Sequence, residues 1–352
     1  MRLYDLARPV LFRLPAETAH ATTQGLLRVV QETPLSRLLA GHYDVLDERL
    51  RTRAFGLDFP NPVGVAAGFD KNAEVPAALR ALGFGFVEVG GVTAVPQGGN
   101  PRPRMFRLPE DEAIVNRMGL NNDGARVVGE RLARTAAGVD APIGVNIAKS
   151  EHVGAAEAPA DYRETYERVA DAGDFFVVNV SCPNSQGFGA LQNRDAMARI
   201  FAELGEAGAS PLLVKLSPDL PEPAVADALA LVDEFDIDGV VATNTSTERP
   251  ASLRSPNRTE EGGLSGRPIE ARATEVVRFC AERTDVPVVG VGGVSTAADA
   301  YRKIRAGASL VQLYTGLVYH GPSIARDINR GLLALLERDG FASVEAAVGA
   351  DL

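Results

Sequence analysis

Short, nearly continuous apolar runs recur along the chain, separated by stretches with helical spacing. They predict strands at Val63–Ala67, Phe84–Val89, Ile143–Ile147, Phe175–Val180, Leu212–Leu216, Gly239–Thr243, Val286–Val291 and Leu310–Leu313. A strand covered by helices on both faces reads this way, whereas a half-solvated strand alternates. Eight such units over about 270 residues predict an α/β fold, a (β/α)8 TIM barrel rather than an open doubly wound sheet. Ahead of them, Leu3, Leu6, Ala7, Val10 and Leu11 share one helical face. A second helix is predicted from Pro15 through Val30, with proline suited to its first turn, and a short third follows Pro34. Residues 51–61 read as a hairpin plugging one end of the barrel. The chain thus divides into a small N-terminal helical extension, 1–41, and a barrel domain, 42–352.

Composition changes the picture in two places. The formal charge is −10, which argues against nucleic acid as a partner because phosphate binding needs a basic face. Of 36 basic residues only four are lysine. Lys71, Lys149 and Lys215 lie at or just beyond the ends of strand-like runs, and Lys303 is placed on an ordinary helix face. In a chain that otherwise uses arginine, strand-end lysines suggest ammonium chemistry; an acidic, arginine-rich surface also suits a salty cytoplasm. The extension departs from the average, with five arginines against three acids in residues 1–41. It reads either as a cap packed on the barrel or as amphipathic helices on a membrane interface enclosing a pocket for an apolar ligand. No apolar run reaches the roughly 18 to 20 residues of a membrane span. Two cysteines and four histidines leave no metal framework, and Cys280 reads as a packing thiol.

Barrel chemistry sits at the C-terminal strand ends. The first strand ends in small residues and a cation (Ala66, Ala67, Gly68, Phe69, Asp70, Lys71), the second in Gly90-Gly91. The third gives Asn146 and Lys149, the fourth Asn179, Cys182 and Asn184, the fifth Lys215, the sixth Thr243-Asn244-Thr245. One asparagine at a strand end is usually a turn device. Several aimed at one mouth offer donors and acceptors suited to the edge of a pyrimidine or flavin ring. Gly290-Val291-Gly292-Gly293 and Tyr314-Thr315-Gly316 close the last two strands and suit a phosphate. Cys182 is open to three readings: nucleophile, base or inert thiol. With no histidine at a strand end, the base is favoured over the nucleophile, with Lys71 as the competing base. Two long connections, 182–192 and 246–268, are candidate lids.

These residues carry a resemblance. The motifs at 66–72 (AAGFDKN), 103–108 (PRMFRL), 116–122 (NRMGLNN), 179–184 (NVSCPN), 214–219 (VKLSPD), 242–245 (ATNT), 262–268 (GGLSGRP) and 307–316 (GASLVQLYTG) resemble the dihydroorotate dehydrogenases over essentially the whole chain. The first helices, with PAETAH at 15–20, look like the extension of the class 2, membrane-associated, quinone-reducing members.

The resemblance implies FMN held by Ala67, Gly68, Phe69, Asp70, Lys71, Gly91, Asn146, Asn179, Lys215, Thr243, Gly266, Gly293, Tyr314 and Thr315. It implies dihydroorotate held by Lys71, Asn116, Arg117, Met118, Gly119, Leu120, Asn179, Asn184, Asn244 and Thr245, with Cys182 as catalytic base. Residues 1–41 would then serve a membrane quinone and a peripheral attachment on the cytoplasmic side of the membrane. The chain departs from the class 2 pattern at Cys182, where serine is usual and cysteine is the class 1 habit. It departs also at Gly91 and Leu120, where serine or threonine and phenylalanine are common. The alternatives are a class 1-type oxidase using fumarate or a partner electron-transfer subunit, and a non-catalytic phosphate-binding barrel that docks on membranes.

Overall fold

The computed structural model describes residues 3–181 and 191–352, and in them the barrel is closed. Three helices lead: α1 (Leu3–Leu11), α2 (Ala16–Gln31) and α3 (Leu35–Tyr43). The predicted hairpin follows as β1 (Thr52–Ala54) and β2 (Leu57–Phe59). The first two barrel strands are β3 (Val63–Val65) and β4 (Phe86–Val92). Two strands outside the barrel come next, β5 (Met105–Leu108) and β6 (Ala113–Asn116). The barrel resumes with β7 (Ile143–Ala148), β8 (Phe175–Asn179), β9 (Leu212–Leu216) and β10 (Gly239–Ala242). It ends, after the outlying β11 (Gly263–Gly266), with β12 (Val288–Val291) and β13 (Ala308–Leu313). The eight barrel strands are parallel throughout, and β13 pairs back onto β3.

The bottom of the barrel is filled by aromatic rings. Phe59 of the hairpin meets Phe86 edge-on at 5.3 Å, and Phe55 meets Phe59 at 5.6 Å and Phe175 at 5.5 Å. Glycines in the neighbouring strands make this possible. A Cβ at Gly64 would lie 2.4 Å from the Phe86 ring, and one at Gly144 would lie 2.3 Å from that of Phe175. The hairpin is therefore the plug that the sequence predicts. Cys280 is fully buried, and burial pushes its thiol up to about 12, as befits a packing residue.

The sequence does not announce the small antiparallel sheet over the opposite end. Its order is β11–β6–β5, with Gly263 opposite Asn116 and Met105 opposite the same asparagine. This corrects the expectation of a free lid at 246–268: its glycine-rich end is a strand, ordered by pairing with β6. Most of the other candidate lid, 182–190, lies outside the described residues.

The leading helices dock on this sheet and on the barrel rim through side chains that satisfy backbone carbonyls. Arg107 donates to the carbonyls of Leu11 and Phe12 at 3.2 Å and to that of Leu14, pinning the α1–α2 turn to β5. Gln24 donates to Phe69 O at 2.8 Å and Gln31 to Glu74 O at 2.9 Å. Buried Arg104 grips Glu17 of α2 at 2.8 Å and also donates to the carbonyls of Gly98 and Asn100.

Candidate active site

Most of the predicted residues meet in one cleft at the C-terminal end of the barrel, with a cavity volume of about 150 Å³ and an opening to solvent. Ala67, Gly68 and Lys71 come from the end of β3, Gly91 from β4, Asn146 from β7 and Asn179 from β8. Lys215, Thr243, Asn244 and Thr245 follow from β9 and the end of β10. The last strands add Gly293, Tyr314 and Thr315, and the lid sheet adds Asn116 and Gly266, with Met118, Gly119 and Leu120 beside it.

Three predicted residues stand off the lining. Phe69 faces away from the cleft toward α2, with its ring 5.2 Å from that of His20. Asp70 is fully buried and accepts from the backbone N–H groups of Glu74 and Val75 at 2.8 Å each. Burial raises its carboxyl to about 6, against the pull of those bonds. Arg117 points outward to Glu260 at 2.9 Å and lies over the Phe106 ring. Cys182 and Asn184 lie outside the described residues.

Two lysine expectations need correction. Lys149 is buried at its strand end but is not part of the lining: its ammonium donates to the carbonyls of Ser150 at 2.8 Å and Val153 at 2.6 Å. Lys303, expected on an open helix face, is fully buried and donates to Thr274 Oγ1 at 2.7 Å; burial brings it down to about 8. Gly290 leaves room for its stem, since a Cβ there would sit 3.3 Å from Lys303 Cδ.

The lining is ordered by a chain of amides. Ser181 N–H donates to Asn179 Oδ1 at 3.3 Å, as does Asn244 Nδ2, whose own Oδ1 accepts from Thr245 N–H at 2.8 Å. Asn179 Nδ2 donates to Asn146 Oδ1 at 3.1 Å. Asn146 Nδ2 then donates to Glu88 Oε1 at 2.7 Å. Glu88 was not singled out, although a lone acid inside the apolar run 86–92 is a signal: burying a carboxylate costs several kcal/mol, so it stays only where it is paired. Gln312, also missed, donates to Glu88 Oε2 at 2.6 Å.

The walls suit a flat ring bearing an anionic tail. A Cβ at Gly91 would lie 2.9 Å from Leu120 Cδ2, so a side chain there would narrow the cleft. Gly292 and Gly293 turn with φ of +113° and +75°, and a Cβ on Gly293 would strike Glu270 at 2.3 Å. Bare backbone at this point is the requirement for an anion to approach N–H groups. Within the cleft, the buried Oε1 of Gln312 has no protein partner, so the wall presents an acceptor awaiting a donor.

A second, apolar cavity of about 350 Å³ lies between α1–α2 and the barrel, lined among others by Phe12, Ala19, His20, Thr23, Leu27 and Val30. Met105, Ile114 and Tyr314 line both cavities, so a single layer of side chains divides them. On the outside of α1–α3, Leu6, Val10, Val29, Leu35 and Leu38 are exposed, Leu38 to 71 %, and Leu26 is exposed at the cavity's edge. Among the described residues, no helix is long and apolar enough to cross a membrane.

Comparison with known proteins agrees with this geometry. The dihydroorotate dehydrogenase family model matches residues 49–336. A protein of Haloarcula marismortui named dihydroorotate dehydrogenase (quinone) is 72 % identical over 354 residues, covering all of both chains. One of the same name from Natronomonas pharaonis is 64 % identical over 352 residues, again with full coverage. A crystal structure of DHODH from Eimeria tenella in complex with ferulenol superposes with a TM-score of 0.86 at 38 % identity, covering 95 % of each chain. The chain belongs to the dihydroorotate dehydrogenase family, on its class 2, quinone-dependent side.

Proposed function

We propose that this protein oxidises dihydroorotate to orotate with FMN as its flavin and passes the electrons to a membrane quinone, a step of pyrimidine biosynthesis. The observation that carries the reading is the pair of cavities back to back: a cleft into which amides and ammonium groups are set, divided from an apolar cavity by Met105, Ile114 and Tyr314. When bound, FMN supplies the acceptor for the hydride from C6 of dihydroorotate and the donor of electrons to quinone.

The chain's own residues supply orientation, charge and a base. Lys71, whose ammonium donates to Gly68 O at 2.8 Å, stands at the rim where it can hold a substrate carboxylate. Asn116, Asn179, Asn184, Asn244 and Thr245 hold the pyrimidine amide edges, which alternate C=O and N–H as carboxamides do. Cys182 removes the proton from C5. Lys215 faces the negative charge that develops on the reduced ring, and the glycine turn at 292–293 with Thr315 holds the phosphate.

Residues 1–41 form the extension that receives quinone and rests on the cytoplasmic face of the membrane through its exposed leucines and valines. The fumarate-using alternative leaves the apolar cavity without an occupant. An anaerobic visible spectrum tests the whole reading. Dihydroorotate should bleach a bound flavin, and a soluble quinone, but neither fumarate nor NAD, should restore it. A flavin that substrate does not bleach contradicts the substrate assignment; bleaching without recovery on quinone contradicts the acceptor.

A further inference from the structure

We infer that Glu88 is a positioning residue: it fixes which way the amides of Asn146 and Gln312 face the cleft and balances the charge of Lys215. The inference rests on the flavin reading above. Glu88 is fully buried on β4 and is one deep end of the amide chain. The direction of that chain is not free. Backbone N–H groups can only donate, so Ser181 and Thr245 make Asn179 Oδ1 and Asn244 Oδ1 acceptors. Asn179 Nδ2 must then donate to Asn146 Oδ1, and Asn146 must turn its Nδ2 downward. A group that accepts is required beneath it.

Gln312 makes the same demand from the other side, donating to Glu88 Oε2 at 2.6 Å. Lys215 adds a third donor, its ammonium 3.4 Å from Oε1. Three donors converge on one side chain, and a carboxylate alone among the side chains of this length accepts at both oxygens. With its Nε2 held in this way, Gln312 must turn Oε1 elsewhere, and that oxygen is the buried acceptor without a protein partner in the cleft wall. A flavin ring edge carries one N–H between two carbonyls. An acceptor at this wall, with the Lys215 donor nearby, matches a ring of that pattern. Glu88 touches no ligand in this arrangement; it acts through Asn146, Gln312 and Lys215.

The test is Glu88→Gln, which keeps shape and volume but offers one acceptor where two donors need one. Asn146 or Gln312 must then flip or face a donor, and Lys215 loses its counter-charge. Flavin should dissociate about tenfold more readily or worse, and the flavin midpoint potential should move positive, because a negative charge has left the neighbourhood of a ring that becomes more negative on reduction. The exchange Glu88→Gln with Gln312→Glu restores every donor–acceptor pair and the buried charge. It should recover flavin retention toward the wild-type value.

A folded Glu88→Gln protein with unchanged flavin affinity and potential overturns the inference, as does an exchange variant that folds but retains flavin no better than the single variant. If the single variant does not fold, the exchange variant decides alone: tight flavin binding supports the inference, and a folded protein that takes up none overturns it. The wild-type protein is measured first. If it takes up no flavin, the functional reading fails, and with it the premise of this inference.

Discussion

Tyr314 packs edge-on against Phe69, ring centroids 5.5 Å apart and planes at 82°, and this pair stands where the cleft and the apolar cavity meet. The layer it belongs to is one side chain thick, so in the proposed reaction the two half-reactions would occupy separate rooms with a common wall. Filling one room should therefore spare the other. Thr23→Trp, on the α2 face of the apolar cavity, is expected to suppress reoxidation by quinone while flavin reduction by dihydroorotate proceeds within about twofold of normal. Stopped-flow measurement of each half-reaction separates them, and equal loss in both contradicts the partition.

Cys182 carries the proton chemistry in this reading. Cys182→Ala should leave flavin bound and slow its reduction by substrate by about 10² to 10⁴-fold, the usual worth of a positioned base. Cys182→Ser should keep part of the rate, with its optimum moved to higher pH, since an alcohol gives up its proton less readily than a thiol. Near-normal reduction in the alanine variant would exclude the assignment.

Arg104 is buried and joined to Glu17 at 2.8 Å, with three further bonds to the carbonyls of Gly98, Asn100 and Met118. Arg104→Met removes one of the two arginines on Glu17, leaving Arg102 at 3.0 Å, and strands those carbonyls, so the protein should lose about 1–3 kcal/mol. The loss should appear as a lower melting temperature and as faster proteolysis near residues 12–15. A variant that melts and is cleaved like the wild type contradicts this account of how the extension is held.

His20 lines the apolar cavity between Phe69 and Tyr314. Burial, reinforced by the charge of Lys71, brings its imidazole down to about 4 against the weaker opposing pull of Glu17. A depressed value in the fold means that the neutral ring is favoured there. The associated stability is present above the ordinary imidazole value of 6.5 and is lost as pH falls toward and through 4, at most about 3 kcal/mol. Melting curves of wild type and His20→Gln between pH 7.5 and 4.5 check this: the wild type should lose more stability than the variant on acidification. Parallel losses would place the pH dependence elsewhere.

Val29 and Leu38 are 58 % and 71 % exposed on the outer face of the leading helices. Replacing both by glutamate should lower co-sedimentation with lipid vesicles by tenfold or more, at about 1.5–3 kcal/mol per apolar side chain withdrawn from an apolar phase. Bleaching of the flavin by dihydroorotate should not change. Undiminished vesicle binding would assign the attachment to another surface.

The barrel was legible because its strands announce themselves. Runs such as 175–180 and 212–216 are apolar on every residue that must be covered on both faces, and each ends in a residue with chemistry. The lid sheet was not. Met105–Leu108 and Gly263–Gly266 are four-residue strands without a distinctive period; the first pairs locally with Ala113–Asn116, but the second is a strand only through pairing with that same segment across some 150 positions of chain, which no local window contains. Lys303 failed for a related reason. Its helix carries Asp299 and Arg302 beside it and looks solvated; the partners that hold its ammonium, Thr274 Oγ1 and Glu270 O, lie on the preceding helix, and Gly290 leaves its stem room. Glu88 was visible as an acid in an apolar run, but its three partners come from β7, β9 and β13 and exist only after closure.

The pairing of β13 with β3 joins residues 308–313 to residues 63–65, about 250 positions apart. Tyr314 and Thr315 follow directly, and β11 must also be in place before the cleft has a roof. A ribosome that has released the first half of this chain has therefore made neither a place for a flavin nor the wall that separates it from the apolar cavity. Loading must wait until the chain is nearly complete. The last strand to emerge is the one that finishes the seat.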